Sequence, residues 1–144
     1  MPEYKEADLT NRILCCFYNV YGQLGYGFLE KVYENALILE LGEKSIKAVS
    51  QSPIPVLYKG KTIGEYFADI LVEDKVIIEI KAGKTLMPEH EAQILNYLKA
   101  TDIEVGLLLN FGPKPEVRRK AFENSRKKAN WPQINVDKAL KRSK

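Results

Sequence analysis

Between residues 9 and 24, apolar side chains recur at three- and four-residue intervals: Leu9, Ile13, Cys16, Phe17, Val20 and Leu24. This is the spacing of one face of an amphipathic helix, and Asp8 or Thr10 can cap it. GYGF interrupts the pattern with two glycines, after which Leu29, Val32, Tyr33, Ala36, Leu37 and Leu41 resume it as far as Gly42. From about Ile46 the period shortens to that of strands. IPVLY and TIGEYFADILV flank KGK, a glycine-centred turn, and EDK then leads into VIIEI, which predicts a three-strand meander. Pro53 and Pro55 put the first of these strands at an edge, because proline cannot donate to a ladder. MPEHEAQILNYLKAT reads as a helix with Pro88 in its first turn and Glu89 and Glu91 at its positive end. EVGLLLNF is short and almost wholly apolar, as a strand buried on both faces requires. PEVRRKAFENSRKKA reads as a basic terminal helix. The expected order is ααβββαβα: one α/β domain over residues 1–129, a mixed β-sheet flanked by helices, followed by a loosely ordered basic tail over 130–144.

Composition narrows the class. A chain of 144 residues that is 45% hydrophobic forms one domain of ordinary globular size. No run approaches the roughly 18 to 20 apolar residues of a membrane-spanning helix, and MPEYKEADLT is polar and acidic where a signal peptide is basic and then apolar. A cytoplasmic protein that does not enter the membrane is therefore expected. Cys15 and Cys16 are adjacent, a spacing that suits neither an ordinary disulfide nor a four-ligand zinc site. No glycine-rich phosphate loop follows any strand. Charge is unevenly distributed: residues 1–113 carry 11 Lys/Arg against 16 Asp/Glu, and residues 114–144 carry 11 against 3. A basic C-terminal segment suits a polyanion such as nucleic acid.

The candidate chemistry lies in the meander. In KVIIEIKAG, Glu79 and Lys81 point to one strand face while Ile78 and Ile80 point to the other. Asp69 is likewise an acid inside an apolar run. If the turn is the three-residue EDK, Asp69 faces Glu79; a two-residue turn would put them on opposite faces. Two carboxylates opposite one another on neighbouring strands have Cβ atoms about 5 Å apart, and their like charges destabilise the pair. Lys81 offsets part of that, but desolvated ions still cost several kcal/mol each. A divalent metal resolves the conflict, since Mg²⁺ takes one or two carboxylates and keeps several waters. Glycosidase chemistry fits less well, because a neighbouring lysine opposes holding one acid protonated. With His90 the sole histidine, neither a serine–histidine pair nor a histidine-ligated zinc is available. The plain alternative is an exposed strand whose Glu and Lys line the wet side of a sheet.

Asp69 followed by Glu79-Ile80-Lys81 resembles the signature of the PD-(D/E)XK nuclease superfamily. GFLEKVY, with Gly27, Glu30 and Tyr33, followed by ENAL, resembles the motif that names the GxxExxY family, which is placed in the same superfamily. QILNYLKAT and GLLLNFG resemble later segments of that family, so the resemblance covers roughly residues 7 to 122. One departure is Phe67-Ala68 before Asp69, where the signature has a proline. The resemblance implies a restriction-endonuclease-like fold and metal-dependent hydrolysis of phosphodiester bonds in DNA or RNA. It implies Mg²⁺, with Mn²⁺ as a substitute, held by Asp69, Glu79, the Ile80 carbonyl and Glu30. Lys81 then stabilises hydroxide and Gln93 orients water or phosphate. Tyr33 is assigned to packing. Backbone phosphates would be gripped by Arg118, Arg119, Arg126, Lys127 and Lys128, with His90 a further candidate. Two other readings stand beside this one: a non-catalytic nucleic-acid- or protein-binding module that keeps the fold, and a homodimer that shares its apolar helix faces.

Overall fold

The apolar stripe of the first helix becomes its buried side: in α1 (Ala7–Leu24), Leu9, Ile13, Cys16, Phe17 and Val20 are buried. In α2 (Glu30–Glu43), Tyr33, Leu37 and Leu41 are buried, and Glu34 with them. The structure is a computed structural model that describes residues 4–127; Lys128 and the tail expected over 130–144 lie outside the described residues. Among the described residues no helix is long and apolar enough to cross a membrane.

Strands β1 (Ala48–Tyr58), β2 (Lys61–Val72), β3 (Val76–Lys81), β4 (Val105–Phe111) and β5 (Pro115–Ala121) form one sheet in the order β1-β2-β3-β4-β5. β1, β2 and β3 make the antiparallel meander, β3 and β4 run parallel, and β5 returns antiparallel to β4. A parallel step needs a crossover, which α3 (Pro88–Ala100) supplies. β1, with its two prolines, is an edge strand as expected, and β4 is buried along its whole length.

The sheet separates two cores. Ile70, Val72, Ile78, Ile80, Leu107 and Leu109 meet α1 and α2 on one face. Leu71, Ile77 and Leu108 meet Ile94 and Leu98 of α3 on the other. Strand alternation therefore turns Glu79 and Lys81, like Ile77, to the α3 side. At Gly106 the Ile94 side chain of α3 packs directly on the strand backbone: a Cβ there would lie 2.9 Å from Ile94 Cδ1, so a larger residue would have to push that side chain aside.

The terminal basic segment departs from expectation. Residues Pro115–Ala121 form strand β5 rather than a helix, and a single 3₁₀ turn, Asn124–Arg126, follows. Without β5, the apolar β4 would be left with an unpaired row of backbone donors and acceptors. Pairing of Glu116 with Asn110, Arg118 with Leu108 and Lys120 with Gly106 satisfies that edge. The helix preference of Glu, Arg, Lys and Ala amounts to only tenths of a kcal/mol per residue, so the ladder prevails. Charged side chains then suit the new edge, where they discourage pairing with a further strand.

Candidate active site

Between β2 and β3 the chain turns through Glu73, Asp74 and Lys75, and Val72 pairs with Val76, Leu71 with Ile77 and Ile70 with Ile78. This is the three-residue turn that the face of Asp69 and Glu79 requires. The backbone ladder stops at Ile70 and Ile78. One position further on, the side chains take over: the Asp69 N–H donates to Glu79 Oε2 at 2.9 Å, and the Ile80 N–H donates to Asp69 Oδ2 at 2.8 Å. Each carboxylate stands where a strand carbonyl would otherwise accept. The second oxygens, Asp69 Oδ1 and Glu79 Oε1, have no hydrogen-bond partner among the described residues, and neither is a fully buried orphan, a condition met only by Arg119 Nε.

Electrostatics at the pair is unbalanced. Glu79 is only 4% exposed. Burial, and then the charge of Asp69, push its carboxyl up to about 8, against the opposing pull of the Asp69 N–H and Lys81. Asp69 is also raised, first by burial; the charges of Glu34 and Glu30 act in the same sense, while the Ile80 N–H and Lys81 oppose them. Lys81 is half-buried and makes no ion pair within 4 Å among the described residues. Two acids sharing a partly dry site with one unpaired ammonium form a site poised for added positive charge.

A family model described as the PD-(D/E)XK nuclease superfamily matches residues 7–120, well over half of the chain. The chain belongs to this superfamily. No curated protein and no solved structure matches it. The matched span runs from the start of α1 into β5 and includes Asp69, Glu79 and Lys81. The match thus takes in β1 to β4 and most of β5, and nucleic acid is the substrate class that membership implies.

The other candidates within this superfamily domain divide. Glu30 opens α2 and is exposed. Its charge acts on both Asp69 and Glu79, yet among the described residues no three His, Cys, Asp or Glu groups stand close enough to hold a metal together. Gln93 lies four residues before Tyr97 on α3, one turn away on the same side of the helix. Burial, and then the charges of Glu79 and Asp69, raise the Tyr97 hydroxyl, and Tyr97 packs with Leu71 and Ile77 on the α3 side of the sheet, where Gln93 lines the same cleft. His90 is used at the start of α3, where its Nδ1 accepts the Met87 N–H at 3.1 Å.

The glycine, glutamate and tyrosine of GFLEKVY have separable roles. Tyr33 is fully buried; its hydroxyl donates to the Gly25 carbonyl at 2.7 Å and accepts the Phe28 N–H at 3.1 Å. Its ring stacks on Phe111 with centroids 4.1 Å apart. Gly27 takes φ +114°, a conformation open to glycine and strained for other residues. Tyr33 and Gly27 thus fix the loop that delivers Glu30 to the first position of α2.

The basic residues do not form one surface. On β5, Arg118 is exposed and donates to the Val117 carbonyl, while Arg119 lies on the opposite face, stacked over Tyr4 and bonded to the Lys5 carbonyl. Arg126 lies over the Phe122 ring at 5.1 Å. Lys127 requires correction as a phosphate-gripping residue: it is buried, with Nζ donating to the Thr101 carbonyl at 2.8 Å and the Ile103 carbonyl at 3.0 Å. Burial lowers its ammonium to about 8. These bonds close the last turn of α3 onto β4, which is a structural task.

One buried acid escaped sequence reasoning. Glu34 accepts from Ser50 Oγ at 2.6 Å, Gln51 Nε2 at 3.1 Å and Lys31 Nζ at 2.9 Å. Burial raises its carboxyl and these bonds outweigh that, for a net lowering. It anchors α2 to β1 at Gln51, which has φ +53°. Its one signal in the sequence is a position beside Tyr33 and three before Leu37, on the apolar side of the helix.

Proposed function

We propose that this chain is a cytoplasmic, metal-dependent phosphodiesterase acting on nucleic acid, a member of the GxxExxY family within the superfamily. The observation that carries the reading is the Asp69–Glu79 pair, in which one oxygen of each acid is committed to the backbone and the other has no hydrogen-bond partner among the described residues. Such a pair fits a hard divalent cation, which takes one or two carboxylates and fills its remaining positions with water and substrate oxygens. Asp69 and Glu79 would hold Mg²⁺, or Mn²⁺ in its place, with the Ile80 carbonyl beside them and Glu30 acting from the start of α2. When bound, the cation neutralises phosphate charge and acidifies the attacking water.

The remaining tasks fall to the chain's own groups. Lys81, beside the two acids, donates a hydrogen bond to the attacking oxygen as its charge grows. Gln93, on α3, orients that oxygen or a non-bridging phosphate oxygen. The Asp69 and Ile80 N–H groups fix both carboxylates, so little reorganisation accompanies the reaction. Arg118 and Arg126, with Lys128, bind flanking phosphates without reading sequence.

Purified protein incubated with single-stranded, duplex and branched DNA and RNA tests this. Cleavage is expected with Mg²⁺ or Mn²⁺, and loss of cleavage is expected in EDTA and in Asp69→Asn and Lys81→Ala. Binding without cleavage by the wild type would leave the non-catalytic binding module as the answer. Sedimentation of the same preparation reads whether the homodimer forms.

A further inference from the structure

β2 pairs with β3 only through Ile70–Val72, whereas it pairs with β1 as far as Tyr58 and Lys61. Residues 53–58 and 61–67 therefore form a two-strand arm that extends past β3. Between this arm and α3 lies a cleft of about 620 Å³, lined by Val56 and Tyr66 of the arm and by Gln93, Asn96 and Tyr97 of the helix. Tyr66 is 50% exposed, and its ring lies 5.7 Å from that of Tyr97. The cleft lies on the face of the sheet that carries Glu79: Tyr97 packs in one apolar cluster with Ala68, the residue before Asp69, and with Leu71 and Ile77, each two positions from one of the acids along its strand.

We propose that this cleft is a subsite for one unpaired nucleobase of the substrate, stacked on Tyr66 and met at its polar edge by the amide of Asn96. The proposal rests on the nuclease reading for its occupant: a strand whose phosphate lies at Asp69 and Glu79 carries its neighbouring nucleoside into the adjoining space. Three features favour a base over a phosphate or an apolar ligand. The lining includes one acid, Glu89, and one base, Lys99, so it brings no excess positive charge for a phosphate. A half-exposed tyrosine offers a flat stacking surface that tolerates any base. The Asn96 amide supplies both donor and acceptor, as a base edge requires. The volume lies within the range of small-ligand clefts, roughly 300–1,000 Å³. A base inside a duplex is already stacked on both faces and cannot enter, so the preferred substrate class is single-stranded or locally unpaired nucleic acid.

Fluorescence anisotropy in Mg²⁺ tests the subsite, with a short phosphorothioate-linked single strand that resists turnover compared with its blunt duplex. The single strand is expected to bind more tightly. Tyr66→Ala should weaken single-strand binding about tenfold and leave duplex binding unchanged, while Tyr66→Phe keeps the wild-type preference. Equal affinity for strand and duplex, no binding of either, or a Tyr66→Ala variant that binds the strand like wild type overturns the subsite. Because Tyr66 is half-exposed, the substitution leaves the core intact. Cleavage of the ordinary phosphodiester strand, assayed in parallel, reports separately on the nuclease reading. A protein that stacks the strand through Tyr66 and never cuts it retains the subsite and loses the nuclease.

Discussion

Near their turn, β2 and β3 are joined by an ordinary antiparallel ladder whose residues, Ile70 to Val72 and Val76 to Ile78, are all buried and apolar. One step further along the same two strands, Asp69 and Glu79 replace the ladder with carboxylates that accept the N–H groups a carbonyl would have taken. The closed half gains hydrophobic burial on both faces. The open half keeps its donors satisfied but gathers negative charge where burial penalises it, and it leaves two oxygens free. The comparison shows how a sheet can hold two acids rigidly: apolar pairing fixes the register, and the backbone N–H groups then aim the side chains.

Breaking the open half should abolish chemistry and spare folding. Lys81→Ala is expected to lower cleavage by about 10²–10³-fold, the usual weight of one donor placed where charge develops, with the melting temperature little changed. Breaking the closed half should do the reverse. Ile78 is fully buried, and Ile78→Ala should cost about 2–5 kcal/mol in denaturant unfolding while the remaining folded fraction still cuts.

The electrostatic contrast sharpens with pH. Glu79 has a carboxyl raised to about 8 in the folded, metal-free protein, against an ordinary value of 4.5 unfolded, so between these limits the folded state binds more protons. Metal-free protein should then lose stability, on the order of 2 kcal/mol, as pH rises from about 5 to 8. Thermal denaturation in EDTA reads this slope. Glu79→Gln should flatten it, and Mg²⁺ should restore wild-type stability at the alkaline end. An EDTA profile that stays flat for the wild type would contradict the unbalanced charge at the pair.

Smaller effects separate support from chemistry in the α1–α2 loop. Tyr33→Phe removes a hydroxyl that serves both the Gly25 carbonyl and the Phe28 N–H, and should cost about 1–2 kcal/mol in chemical denaturation with a parallel loss of activity. Glu30→Gln, at an exposed helix start, should change stability by less than about 0.5 kcal/mol, and a cleavage loss at saturating Mg²⁺ well below that of Lys81→Ala is expected.

Much of the fold was legible because it rests on local pattern. The three-and-four spacing from Leu9 to Leu24, the prolines of β1, the apolar β4 and the EDK turn each carried their element or register. Asp69 opposite Glu79 followed from parity alone. What stayed hidden depends on partners distant in sequence. PEVRRKA has the composition of a helix and becomes a strand only because β4 needs a neighbour. Lys127 looked like one of a run of surface cations, yet its acceptors at Thr101 and Ile103 are more than twenty residues away. Glu34 is buried because Ser50 and Gln51 of β1 satisfy it, a contact that no periodicity encodes.

The most direct test of the central claim is isothermal titration of Mn²⁺ into the wild-type protein and into Asp69→Asn. Saturable binding by the wild type that is lost in Asp69→Asn is the predicted result, and it would make the opened end of β2 and β3 a metal centre. No heat of binding at millimolar Mn²⁺, or equal binding by the two proteins, would contradict it and leave Asp69 and Glu79 as acids that only terminate a ladder.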